Sequence, residues 1–210
     1  MSASLLLALS LTCGAPTAVA GDSANDPAVI WRDGVTYAAF TSAFSNRKRD
    51  WRQRDGWAVI SDSLMARARA LPMKLRVLAV AEEMCNDSMN SIPYLARLAE
   101  LTPMIELHIV NSARGRSIME AFRTPDGRAA TPTVVVLDAN GRVAGCWIER
   151  PERLRKWSLT PRDSLPKDQR FEDRRGWYEN DKGRSAMAEW IPMLERVARG
   201  ETACEPKVVP

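Results

Sequence analysis

The chain has 210 residues, 45% of them hydrophobic and 27% charged, with a formal net charge of +4. That is the composition of one sizeable globular domain and not of a disordered tail, and +4 is too small a balance for a nucleic-acid footprint. One histidine and four cysteines are too few for a His-rich metal site or a Cys/His zinc module, so neither a metal nor another cofactor is expected.

The first 20 residues contain no Lys, Arg, Asp or Glu. Leu5–Leu11 is an apolar run that Pro16 brings to an end, and Ala18-Val19-Ala20 before Gly21 has the small-x-small form of a secretory cleavage site. A membrane span would need about 20 apolar residues. The reading is therefore residues 1–20 as an export signal cleaved after Ala20, atypical because Met1–Ser4 carries no basic residue, with a periplasmic or secreted product. Cleavage removes Cys13 and leaves Cys85, Cys146 and Cys204. An odd number in an oxidising compartment means that at least one is free or paired between molecules.

From Asp26 to about Pro72 apolar residues recur at helical spacing: Tyr37, Phe40 and Phe44, then Ile60, Leu64 and Ala68. The basic cluster Arg47–Arg54 between them reads as a solvated helix face or loop. The period then changes. Leu75–Val80 is a buried-type strand, Cys85–Leu101 an amphipathic helix, Ile105–Val110 a second strand in which His108 is a satisfied sheet residue, and Ser117–Phe122 a short helix. Thr133–Leu137 is a third strand, and the Asn140-Gly141 turn returns it to Arg142–Ile148 as a hairpin. The order β-α-β-α-β-β predicts an α/β sandwich around a mixed sheet. Residues 152–184 read as a polar surface loop with one helical turn at most. Residues 184–200 form a final helix, with Met187, Trp190, Ile191, Leu194 and Val197 on one face and Gly200 as its C-cap. Residues 201–210 read as a frayed tail.

The chemistry centres on Glu82-Glu83-Met84-Cys85-Asn86-Asp87-Ser88, at the junction of the first strand and its helix. A helix N-terminus offers unpaired N–H groups and a positive dipole end, both of which favour thiolate, the nucleophile of disulfide exchange. Pro93 lies eight residues beyond Cys85, and Thr131-Pro132, a candidate cis bond, immediately precedes the third strand. The alternative for Cys85 is a small, inert, buried apolar residue. Asp87 opposes a thiolate at Cys85, while its simpler role is favourable charge in the first helical turn. Glu82 and Glu83 read as solvated strand-end residues, with proton transfer as the alternative.

A strand ending in a helix-capping Cys, a helix with Pro eight residues later, and Thr-Pro before a hairpin resemble the thioredoxin-like superfamily; Pro132 lies 47 residues after Cys85. More narrowly, the chain resembles a bacterial thioredoxin family whose motif reads Trp-Cys-Gly-Asp-Cys and which has a Trp-x-x-Arg-Pro run after its hairpin, here Trp147-Ile-Glu-Arg-Pro151. The likeness covers about residues 36–151. It implies a three-layer sandwich with helices on both faces of the sheet. With the helical periodicity that precedes it, the chain divides into a helical extension over 21–70 and a thioredoxin-like domain over 71–200, with its core at 71–151. It also implies Cys85 as nucleophile, with the Thr131-Pro132 backbone against the substrate.

Met84 stands where that family has Trp, Asn86 where it has Gly, and Ser88 where dithiol members have the second Cys. Ser88 can donate a hydrogen bond to the Cys85 sulfur, but it cannot resolve a mixed disulfide. Three outcomes remain open: monothiol exchange with protein thiols or a small thiol such as glutathione, resolution by Cys146 or Cys204, or a non-catalytic binding module that uses the same groove. Cys146 reads as a packed core thiol; its alternative is a disulfide with Cys204, which would close a loop of 58 residues.

Overall fold

A computed structural model describes residues 23–158 and 164–204; the expected export signal lies outside the described residues. The strands are β1 (Leu75–Val80), β2 (Ile105–Val110), β3 (Thr133–Leu137) and β4 (Val143–Ile148), in the order β2-β1-β3-β4. β1 runs parallel to β2 and antiparallel to β3, and β3 pairs antiparallel with β4. This is the mixed sheet expected from the change of period. Apart from Arg76, β1 is apolar and buried, because both faces of the sheet are covered. Val77 and Ala79 face one core with α5 (Asn86–Leu101) and α9 (Arg184–Ala198), while Leu78 and Val80 face the other. That second core is closed by Ile30 of α1 (Pro27–Asp33) and by Ile118 and Met119 of α6 (Arg116–Ala121).

The N-terminal helices are part of this body and not an appendage to it. Asp26 caps α1, its carboxylate accepting from the Ala28 N–H at 2.7 Å, and Pro27 occupies the first turn. Val35 exchanges two backbone hydrogen bonds of 2.9 Å with Ile109 and so covers the outer edge of β2. After α2 (Tyr37–Ser42), α3 (Lys48–Trp57) and α4 (Asp62–Arg69) put Trp51, Met65 and Ala68 into the same core as α5 and α9. Trp51 is held there by Phe40 and Phe44, with ring centroids 5.9 and 4.9 Å away.

Two expectations are corrected. Residues 152–184 are not a loop: they contain α7 (Glu152–Ser158) and α8 (Lys167–Asp181). α8 buries only Tyr178 and Asp181, so it has almost no apolar periodicity to read. It ends on Lys182 in the left-handed conformation, followed by Gly183 at φ +72°. A Cβ on Gly183 would stand 2.4 Å from the Tyr94 ring, so the α8–α9 turn needs glycine both for its backbone and for this close approach. The tail is not frayed from residue 201 either. Ala203 donates to Ala144 O at 2.6 Å, and Cys204 is bonded to Cys146. Cys146 is therefore not a free packed thiol.

Candidate functional site

Cys85 is the N-cap of α5, reached from β1 through four residues. The Ser88 backbone N–H donates to Cys85 Sγ at 3.4 Å, and the thiol donates to Thr131 O at 3.2 Å. The Thr131-Pro132 peptide bond is cis. The structure thus brings Cys85, Thr131 and Pro132 together, and Met84, next to Cys85 in the chain, is 61% exposed. Ser88 is placed differently from expectation. Its side chain is fully buried and its hydroxyl accepts from the Glu82 N–H at 3.4 Å, so the bond on the sulfur comes from its backbone.

Glu82 and Glu83 are not merely solvated. Glu82 Oε1 accepts from Ser112 N and Oγ at 2.6 and 2.5 Å, fixing the loop after β1 to the end of β2. Glu83 Oε1 accepts from the N–H groups of Asn46 and Arg47 at 2.6 and 2.7 Å, and its backbone O accepts from Trp51 Nε1 at 3.0 Å. The Arg47 amide in particular holds this carboxyl below the usual carboxylate range. The loop that carries Cys85 is thereby clamped onto the start of α3.

Asp87 stands in the first turn of α5, as expected, but it is buried there. Its Oδ2 accepts from Arg150 Nη2 at 2.8 Å and its Oδ1 from the Tyr178 hydroxyl at 2.6 Å. Arg150 Nη2 also reaches Glu149 at 2.6 Å, and Arg128 lies on the far side of Glu149 at 3.1 Å. Burial pushes the Asp87 carboxyl above its ordinary range, against the pull of Arg150 and Tyr178. Burial alone would lower Arg150; the Asp87 and Glu149 carboxylates overcome it and hold the guanidinium charged. Burial, followed by the Asp87 charge, pushes the Tyr178 phenol well up, so it remains a donor. Arg150 comes from the Trp147–Pro151 run. Through Arg150 this run is tied to the carboxylate two positions along α5 from Cys85.

Arg47 and Arg54 were hidden in the basic cluster read as a solvated face. Arg47 Nη1 donates to Asn86 Oδ1 at 2.6 Å, and the buried Arg54 donates through Nε to Asn90 Oδ1 at 2.7 Å. The usable signal was their spacing about Trp51: positions 47, 51 and 54 lie on one helical face. Tyr178, Arg174 and Arg175 were missed with α8 itself. A cavity of about 230 Å³ lies between α3, α5 and α8, lined by Arg47, Arg54, Asn86, Met89, Arg174 and Arg175 among others.

With Cys146 and Cys204 joined in one bridge, Cys85 is the free cysteine among the described residues. Neither of the other two is then a thiol that can resolve a Cys85 adduct. Among the described residues no group of three or more His, Cys, Asp or Glu could hold a metal ion, and no helix is long and apolar enough to cross a membrane.

The thioredoxin family model matches residues 34–166. A crystal structure of a protein of unknown function from Pseudomonas aeruginosa is similar, with a TM-score of 0.64 and 20% identity, over 81% of this chain and 97% of that one. An HIV epitope-scaffold is similar with a TM-score of 0.61 and 19% identity, over 79% and 95%. At these identities the likeness is one of fold. No curated protein matches the chain significantly.

Proposed function

The chain belongs to the thioredoxin family, and from that premise we propose that it carries out monothiol thiol–disulfide exchange through Cys85 as an exported protein. The observation that supports this most is the free thiol at the N-terminus of α5, set against the cis Thr131-Pro132 backbone, with Ser88 in place of a second cysteine. In the first step the Cys85 thiolate attacks one sulfur of a substrate disulfide. A mixed disulfide forms, the substrate S–S bond breaks, and the departing thiolate takes a proton from solvent. A second, small thiol, as its thiolate, then attacks the substrate sulfur of the mixed disulfide. The small thiol–substrate S–S bond forms, the Cys85–substrate bond breaks, and Cys85 leaves as the thiolate; in a dithiol enzyme a second motif cysteine would resolve the mixed disulfide instead. Protein disulfides are the substrates in this reading.

Export is supported by residues 1–20 and by the Cys146–Cys204 bridge, since structural disulfides persist in oxidising compartments. The test is exchange with a peptide disulfide in the presence of a small thiol, comparing wild type with Cys85→Ser. Turnover by wild type alone supports the proposal. Peptide binding without exchange by either protein would instead favour the binding-module reading, for which the missing second cysteine is the specific observation.

A further inference from the structure

The cavity between α3, α5 and α8 begins at Asn86, the residue after Cys85, and its lining is strongly unbalanced in charge. Arg47, Arg54, Arg174 and Arg175 face it, against the carboxylates of Asp50 and Glu179. Three of these cations are already engaged: Arg47 with Asp50 and Asn86, Arg54 with Asn90 and, at 3.7 Å, with Glu179, and Arg175 with Glu172. Arg174, half-buried, makes no hydrogen bond or salt bridge among the described residues, yet its field reaches Asp87. Met89 supplies an apolar part of the lining, and Phe171 stands exposed on it. At about 230 Å³ the space fits a small molecule and not a folded chain. Guanidinium groups are matched to carboxylates, which they can bind through two parallel N–H bonds.

We propose that this cavity binds a small thiol bearing carboxylates, positioning its sulfur, in the disulfide form, for exchange with Cys85. The proposal rests on the exchange reading above and names its small co-reactant: the thiol form resolves the protein mixed disulfide, and the disulfide form loads Cys85 in the step that follows. The Cys85 thiolate attacks one sulfur of the small disulfide, the Cys85–ligand S–S bond forms as the ligand's own S–S bond breaks, and the released thiolate is protonated by solvent. Arg174 is the cation left for the ligand's carboxylate, and Arg47 holds the rim through Asn86.

The test follows Cys85 adduct formation by intact mass with three small disulfides at equal concentration: oxidised glutathione, which is anionic; hydroxyethyl disulfide, which is neutral; and cystamine, which is cationic. Oxidised glutathione is expected to react about tenfold faster than the neutral probe at low salt, the scale of one charge-assisted bond. That preference is expected to shrink at high salt and in Arg174→Ala and Arg175→Ala, which remove a half-buried and an exposed guanidinium of α8. Equal rates for all three probes, or an unchanged preference in both variants, would overturn the site and leave exchange at Cys85 standing. No adduct with any probe would overturn the exchange reading and the site with it.

Discussion

The Cys146–Cys204 bridge joins β4 to the chain just beyond α9 across a sequence separation of 58 residues. In the chain-entropy model a closed loop of this size removes about 4 kcal/mol of freedom from the unfolded chain. The loop encloses α7, α8 and α9, so the bridge stabilises the segment that brings Tyr178 and Arg174 to the site. Replacing both cysteines by alanine is expected to lower the unfolding free energy by about 4 kcal/mol, and the melting temperature by roughly 8–16 °C for a chain of this length. Urea unfolding followed by far-UV circular dichroism measures it, with wild type in a strong reductant as the control that removes the cross-link without altering the sequence. The reduced wild type and the double variant should agree. A loss below about 1 kcal/mol in both would refute the constraint on which the estimate rests.

Three further outcomes follow from the packing around the site. Tyr178→Phe keeps the ring but leaves the buried Asp87 Oδ1 without its 2.6 Å donor, and should cost about 1–3 kcal/mol of stability in the same assay. Because burial raises the Asp87 carboxyl, between its ordinary value of about 4 and its folded one the native state keeps a proton that the unfolded chain has lost. Stability must therefore fall as pH rises through that window. The wild-type minus Asp87→Asn difference in unfolding free energy should decline with pH from about 4 upward and then level off; a difference that climbs contradicts the burial. Gly183→Ala puts a Cβ 2.4 Å from the Tyr94 ring at φ +72°. It should destabilise by more than the ~1 kcal/mol that a Gly-to-Ala change can gain in the unfolded state, as a melting curve would show.

The fold was legible wherever a segment buries an apolar stripe. β1, β2, α5 and α9 each carry the period of the element they form, and the Asn140-Gly141 turn marks the hairpin. α8 was not legible, because it buries only one tyrosine and one aspartate and most of its other residues are charged. Part of the site was legible for the same kind of reason: Cys85, Thr131 and Pro132 sit at junctions that sequence patterns mark. The shell around them was not. Asp87 reads as an ordinary first-turn acid until Arg150 and Tyr178 arrive from 63 and 91 residues away. Glu83 reads as solvated until the start of α3, 36 residues upstream, donates to it. Arg47 and Arg54 look like members of a surface run because charge alone does not say which face of α3 meets α5. Pairings between distant segments depend on how elements dock, and local periodicity does not encode docking.

Exchange at Cys85 is tested most directly by its rate of mixed-disulfide formation with a neutral small disulfide, compared with that of an unstructured peptide spanning Glu82–Met89. The folded protein should react faster, since only in the fold does Cys85 cap α5 beside the Thr131-Pro132 backbone, and Cys85→Ser should abolish the adduct. A folded protein that reacts no faster than the peptide would contradict the account.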